Sequence, residues 1–204
     1  SGRWSPLVTI QSGTADRILF GIHDIHGSVT HYVRIARSLG PEHAVYALQA
    51  RGSDTDDAPD TNLSSMAACY IDAIREIQPA GPYSLLGYSF GGHVAFEMAQ
   101  QLRAQGEDVA QLILLNTHRS ITPEMPNGDF DDAVYWAWWF AAAFKLPQQQ
   151  RKSLFKQLRR LSFDQRVEDI VGRLKLSGLE KYDIPATRLY QKLRVQVSNA
   201  RALF

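Results

Sequence analysis

The sequence feature that most constrains this chain is the pentapeptide at residues 87–91, which reads Gly-Tyr-Ser-Phe-Gly with Ser89 at its centre. It follows an apolar run at 83–86 and precedes a helix-forming run at 93–99. A G-x-S-x-G sequence between a strand and a helix is typical of a nucleophile elbow, a tight turn that exposes the serine hydroxyl. The amides and the dipole of the following helix favour negative charge there. The alternative is an ordinary Gly/Ser turn, but the flanking strand and helix favour a reactive Ser89.

The first 116 residues alternate between short apolar runs and amphipathic stretches. The apolar runs predict strands, and the amphipathic stretches between them predict helices. Such alternation is typical of a mostly parallel sheet with helices on both faces, so we predict an α/β fold. The predicted strands are 7–10, 17–22, 44–48, 83–86 and 111–115, and the predicted helices are 32–39, 63–77 and 93–99.

The pattern changes after residue 116, where no further strand is evident. An aromatic-rich segment at 130–144 and apolar stripes at 154–161 and 189–203 predict helices. We therefore predict an α/β core over 1–116 and a helical lid region over 117–204, and we expect the rest of the core to follow residue 204. The aromatic helix is either plain core or the wall of an apolar substrate cavity.

Composition excludes several classes of protein. With 204 residues, 45% of them hydrophobic, the chain can bury a sizeable core. No apolar run approaches the roughly 20 residues that span a bilayer, and the N-terminus does not resemble a signal peptide. The single cysteine, Cys69, excludes an internal disulfide and a cysteine-based metal site. We therefore expect a cytoplasmic protein without a membrane segment.

Charge is unevenly distributed along the chain. Residues 1–144 hold 8 basic and 16 acidic side chains, whereas residues 145–204 hold 14 and 5. This asymmetry indicates either a partner surface or simply solvated helix faces. The basic residues are spread over amphipathic helices, which argues against nucleic-acid binding. No phosphate-binding loop is present, and the pair His23 and His26 is a weak metal motif, so we predict neither a bound cofactor nor a metal.

Residues 87–99, followed by the apolar run 112–115, resemble the type I thioesterase domains of non-ribosomal peptide and polyketide synthetases, which belong to the α/β-hydrolase superfamily. Residues 23–27 read His-Asp-Ile-His-Gly and resemble a loop of that family that commonly reads H-P-x-G-G. The resemblance covers the chain from about Pro6 to Leu115. It implies an α/β-hydrolase fold with a helical lid.

The resemblance also implies an activity. A thioesterase of this kind releases an acyl or peptidyl chain from the phosphopantetheine arm of a carrier protein, by hydrolysis or macrocyclisation. Ser89 would form the acyl-enzyme, and the backbone N–H groups of Phe90 and Ile25 would stabilise the oxyanion. The carrier domain is expected in the same polypeptide, and its acidic surface would be attracted by the basic lid region. No cofactor would be bound by this domain itself.

The sequence departs from the family pattern at two points. Asn116 stands where the family usually has an aspartate, and an amide carries no charge to stabilise an imidazolium. The family's catalytic histidine follows the lid, and none of the histidines here matches it. His118 is the nearest candidate; His93, His23 and His26 are also close, but each is more typical of a loop or packing residue. We therefore expect the chain alone to be a poor hydrolase.

Three other functions are also compatible with the sequence. The elbow would equally serve an editing-type thioesterase or an esterase that acts on small esters. The departure at Asn116 and the missing histidine would also permit a catalytically impaired binding module.

Overall fold

The computed structural model describes residues 4–14, 18–117, 135, 147–176 and 186–203. The five strands are β1 (Leu7–Gln11), β2 (Ile18–Ile22), β3 (Ala44–Leu48), β4 (Tyr83–Tyr88) and β5 (Val109–Leu115). The helices with described bounds are α1 (Tyr32–Leu39), α2 (Leu63–Arg75), α3 (Phe90–Ala104), α4 (Gln148–Leu158), α5 (Phe163–Leu176) and α6 (Ala186–Arg201). The predicted strands and the helices of the first half are confirmed. Helix α5 was not predicted from the sequence, although Phe163, Val167, Ile170 and Leu174 recur there at helical spacing.

The strands form one sheet in the order β1-β3-β2-β4-β5. β1 pairs antiparallel with β3, and every other pair is parallel, which confirms the mostly parallel sheet. β2 pairs with β3 on one side and with β4 on the other, so the strand order reverses beside β2. In α/β sheets, ligands bind beyond the carboxyl ends of the strands at such a reversal. Ile22 is in register with Gly87, so the loop after β2 and the turn after β4 leave the sheet side by side.

Alternate residues of the central strands point to opposite faces of the sheet, and both faces are covered by helices. On one face, Phe20 and Leu85 pack with the buried side chains of α2 and α3. On the other face, Leu19 and Leu86 pack with Tyr32 of α1. The prediction of helices on both faces is therefore confirmed.

Helices α4, α5 and α6 share a separate apolar cluster, which consists of Tyr135, Leu154, Leu158, Val167, Ile170, Leu193, Val197 and Ala200. Ile25, from the loop after β2, packs against this cluster and also against the cluster of α2 and α3. The sheet and helices α4–α6 therefore meet at that loop. Most of the predicted aromatic helix over 130–144 lies outside the described residues, and the division at 116/117 stays a prediction. None of the described helices combines the length and the hydropathy needed to cross a bilayer.

Candidate active site

Ser89 occupies the turn between β4 and α3 in a strained backbone conformation. Its φ is 54° and its ψ −118°, a region that residues with a side chain rarely adopt. The backbone N–H of Ser89 donates to the Leu115 carbonyl at 2.9 Å, and its carbonyl accepts from the Gly92 N–H at 3.0 Å. The Thr117 hydroxyl also donates to the Ser89 carbonyl, at 3.3 Å. The turn is thus fixed by the end of β5 and by the first turn of α3, and Ser89 remains partly exposed.

The glycines around Ser89 are required by close backbone approaches. A Cβ at Gly87 would collide with the backbone of Gly91 and Gly92. A Cβ at Gly91 would lie 2.5 Å from the carbonyl oxygens of Ile22 and His23. The start of α3 is therefore in direct backbone contact with the end of β2, as a tight strand–turn–helix requires.

The loop at residues 23–28 is braced by Asp24. Its Oδ1 accepts hydrogen bonds from the backbone N–H groups of His26 at 2.9 Å and Ser28 at 3.3 Å. Its carbonyl accepts from the Gly27 N–H at 2.9 Å, and Gly27 has a φ of 78°, which suits glycine. Ile25, whose N–H the resemblance singles out, is the residue inside this bend. The loop therefore has a defined shape at the carboxyl end of β2.

Helix α6 packs on the loop at residues 23–28. The Asn199 side-chain amide donates to the Ile25 carbonyl at 3.1 Å, and Asn199 is 1% exposed. A Cβ at Gly27 would meet Val195, so α6 lies directly on the bend. Asn199 was not among the site residues predicted from the sequence. A signal was present, because Asn199 follows Val195 by four residues and so places a polar residue on an apolar helix face.

His23 is fully buried beneath the loop. Its Nδ1 lies 2.7 Å from the Asp24 carbonyl oxygen, and its Nε2 lies 2.8 Å from the Tyr70 hydroxyl. Its ring stacks on Phe90 with centroids 5.6 Å apart. Burial lowers the pKa of His23 to about 4, although the neighbouring Asp24 opposes this shift. His23 is therefore a neutral packing histidine at neutral pH.

The remaining candidate histidines are spread around the serine turn. His93 lies half-buried on α3, one helical turn beyond Ser89, and His26 is exposed on the loop. His118 lies outside the described residues. His31, which was not among the predicted candidates, packs against the Tyr88 ring with centroids 5.3 Å apart, and burial lowers its pKa. No local sequence pattern distinguishes His31 from an ordinary helix-start residue.

Asn116 directly follows the end of β5 and is exposed. Its φ is 52°, a left-handed conformation that asparagine and aspartate tolerate better than most residues. The carbonyl of the preceding residue, Leu115, accepts a hydrogen bond from the Ser89 N–H. The structure therefore brings the Asn116 backbone beside the serine turn, as the strand order requires.

A groove of about 360 Å³ lies between α3 and β5 next to this turn. Its lining includes His93, Thr117 and the exposed apolar side chains of Phe96 and Leu114. In the described part of the chain, no other strand pairs with the outer edge of β5. Nor do the described residues contain a group of three His, Cys, Asp or Glu side chains that could hold a metal ion.

The chain is similar to known proteins in sequence and in fold. The model of the thioesterase domain family matches residues 17–144. Polyketide synthase PksR of Bacillus subtilis (strain 168) is 39% identical over 119 residues, which are 58% of this chain and 5% of that protein. The structure of a four-domain nonribosomal peptide synthetase bound to AMP and glycine is 29% identical with a TM-score of 0.73, and the match covers 98% of this chain and 15% of that one.

A third similar structure is a covalent complex of the NocB thioesterase domain with a fluorophosphonate nocardicin G analog. It is 26% identical with a TM-score of 0.57, and the match covers 74% of this chain and 65% of that one. The mostly parallel sheet and the serine turn define an α/β-hydrolase-type protein of the serine hydrolase class. The chain belongs to the thioesterase domain family. It corresponds to only a small part of its long synthetase relatives.

Proposed function

We propose that this domain releases an acyl or peptidyl chain from the phosphopantetheine arm of a carrier protein, with Ser89 as the nucleophile. The observation that carries the proposal is the strained, partly exposed Ser89 at the strand-order reversal, with the loop at 23–28 beside it. The similarity to a polyketide synthase and to a nonribosomal peptide synthetase supports the choice of a carrier-bound thioester as substrate.

In the proposed acylation, the Ser89 Oγ attacks the thioester carbonyl. The C–O bond forms, the C–S bond breaks, and the serine proton ends on the departing pantetheine thiol. Water or a nucleophile within the chain then cleaves the acyl-enzyme ester. The oxyanion in each step is stabilised by the backbone N–H groups of Phe90 and Ile25. Phe90 is the first residue of α3, where backbone N–H groups have no partner within the helix.

Asn116 takes the position of the orienting acid in this proposal. An asparagine carbonyl can accept a hydrogen bond from a histidine, but it adds no negative charge, so turnover is expected to be low. Its location directly after the residue that binds the Ser89 N–H supports this role. The missing negative charge at Asn116 also supports a second candidate function, a binding module that binds its carrier domain with little turnover.

The proposed partner is an acyl or peptidyl carrier domain of the same polypeptide, in the cytoplasm. Helix α4 and the residues after it expose Lys152, Lys156, Arg159 and Arg160. A basic surface of this kind attracts an acidic carrier and the pantetheine phosphate. The domain itself would bind no cofactor, because the phosphopantetheine belongs to the carrier.

The test uses a fluorophosphonate probe followed by intact-mass and peptide mass spectrometry. We expect one adduct, mapped to Ser89 and lost in Ser89→Ala. Ser84→Ala is the matched control, since Ser84 lies on β4, the strand that leads to Ser89, but is buried, and it should label like the parent. Absence of an adduct at Ser89, or an adduct that persists in Ser89→Ala, overturns the proposal.

Turnover then separates the candidate functions. Faster cleavage of an acyl-pantetheine thioester than of a simple ester of the same acid supports carrier-bound substrates, and the reverse supports a small-ester esterase. A preference for short acyl groups over long peptidyl groups on the same carrier supports an editing thioesterase. Carrier binding without labelling at Ser89 supports the binding module.

A further inference from the structure

We infer that Tyr70 is a positioning residue for the oxyanion site, acting through His23 on both backbone segments that supply the proposed N–H donors. This inference rests on the proposed function, because it assigns Tyr70 to the site of Ser89. Tyr70 lies on α2, is fully buried, and is 47 residues from His23 in sequence. No motif in the sequence connects the two.

The hydrogen bonds of His23 fix its tautomer. The Asp24 carbonyl oxygen can only accept, so the Nδ1 at 2.7 Å must carry a proton and donate. Burial lowers the pKa of His23 to about 4, so the ring is neutral at pH 7 and Nε2 has a free lone pair. Nε2 therefore accepts the hydrogen bond from the Tyr70 hydroxyl at 2.8 Å. The only other acceptor found for this hydroxyl among the described residues, the Gln49 carbonyl, is more distant at 3.5 Å.

The oriented ring controls the first of the two backbone segments. Its Nδ1–H binds the Asp24 carbonyl, and the same carbonyl accepts from the Gly27 N–H across the bend. Ile25 lies within that bend. Rotation of the His23 ring would release the Asp24 peptide and change the direction of the Ile25 N–H.

The same ring contacts the second segment. It stacks on the ring of Phe90 at an interplanar angle of 24°. Phe90 is fully buried, so the His23 and Phe90 rings restrict each other's position. One tyrosine hydroxyl therefore holds, through one imidazole, both the loop after β2 and the first residue of α3.

The test compares Tyr70→Phe with Tyr83→Phe. Each removes one oxygen from a fully buried tyrosine of the same core. The Tyr83 hydroxyl donates to the Gln78 carbonyl at 3.1 Å, and Tyr83 begins β4 at the end of the strand opposite Ser89. Tyr83→Phe therefore reproduces the loss of a tyrosine hydrogen bond, in this case a partly buried one, without touching His23.

The rate of fluorophosphonate labelling at Ser89 is measured over a range of probe concentrations. This gives a maximal labelling rate and a half-saturating probe concentration. We expect Tyr70→Phe to lower the maximal rate about tenfold with an unchanged half-saturating concentration, a smaller effect than the about 10²–10³-fold for loss of an oxyanion donor. Tyr83→Phe should label like the parent. Equal rates in both variants, whether lowered or unchanged, overturn the inference.

Nuclear magnetic resonance gives a readout that does not depend on reactivity. In Tyr70→Phe we expect the His23 Nε2 signal and the amide signals of residues 24–28 and Phe90 to shift, whereas Tyr83→Phe leaves them in place. Unshifted amide signals overturn the inference even if labelling is slow. If the parent protein shows these shifts on mutation but is not labelled at Ser89, the proposed function fails and the positioning role stands.

Discussion

The side-chain amide of Asn199 holds the backbone carbonyl of Ile25 across 174 residues of sequence, at a donor–acceptor distance of 3.1 Å. Both groups belong to segments that pack tightly, since Asn199 is 1% exposed and Ile25 contacts the apolar cluster of the lid helices. Helix α6 is thereby attached to Ile25, the residue whose backbone N–H the proposed oxyanion site uses. Any displacement of α6 is expected to disturb the loop at 23–28.

We predict that Asn199→Leu slows fluorophosphonate labelling of Ser89 and lowers the free energy of unfolding by about 1–3 kcal/mol, because a buried carbonyl loses its donor. Labelling kinetics and urea unfolding measure the two effects. Gln196→Met is the control, since Gln196 is equally buried on α6 but donates to the Tyr135 hydroxyl within the lid cluster. Equal labelling rates in the two variants would show that α6 does not support the loop.

We predict that Asn116→Asp raises hydrolysis of an acyl thioester by about tenfold or more, since the reverse change in a serine protease lowers turnover about 10⁴-fold. Steady-state hydrolysis of a pantetheine thioester measures the effect. The backbone should accept the change, because aspartate tolerates the left-handed conformation at this position. In a domain that also contains the family's catalytic histidine, an unchanged rate would mean that Asn116 is not the orienting position.

A pH dependence of stability is expected from His23. Burial lowers its pKa from 6.5 to about 4, so between these values the unfolded chain binds a proton that the folded protein does not. Stability therefore rises with pH through this window and is lost as the pH falls, by about 3 kcal/mol in total at full effect. Urea unfolding at pH 7, 5 and 4 should show that the free energy of unfolding has a shallower slope against pH in His23→Gln than in the parent protein. His26→Gln, at an exposed position, should keep the parent slope.

We predict that Gly91→Ala destabilises the protein by about 1–3 kcal/mol, because the new Cβ would meet two backbone oxygens that cannot move away independently. Gly172→Ala provides the contrast. Gly172 lies in α5 with no neighbouring atom within 4 Å of an added Cβ, so alanine there should stabilise by about 0.5–1 kcal/mol. Thermal unfolding of both variants measures whether each change raises or lowers stability. A Gly91→Ala protein as stable as the parent would contradict the tight turn.

We predict that reversing the charge of Arg159 and Arg160 together slows association with an acidic holo acyl carrier protein about tenfold at low salt. The difference should shrink as salt is added, because exposed charges are screened. Stopped-flow association kinetics measure the rates. Reversal of Arg37 and Arg103, exposed residues of α1 and α3, makes the same change in net charge away from α4 and serves as the control. Equal association rates of the two variants would show that the basic surface of α4 and the residues after it does not contribute to carrier binding.

The strands, the first three helices and the serine turn could be predicted from the sequence. The strands and helices follow from local periodicity, and the turn follows from glycines that a tight bend requires. The contacts that shape the loop at 23–28 were not predictable in this way. Tyr70 and Asn199 are 47 and 174 residues from their partners, and hydrogen bonds over such separations leave no periodic trace. The pairing of β1 with β3 likewise depends on sheet assembly rather than on local pattern.

The contact of Gly91 with the carbonyl oxygens of Ile22 and His23 has a consequence for how such a domain can diversify. Where two peptide segments are in direct backbone contact, no side chain lies between them, so amino-acid substitutions cannot adjust the distance between the segments. If their amides share one oxyanion, as proposed, its geometry is inherited unchanged. New substrate preferences then have to arise from surfaces that side chains do build, such as the helices facing that junction.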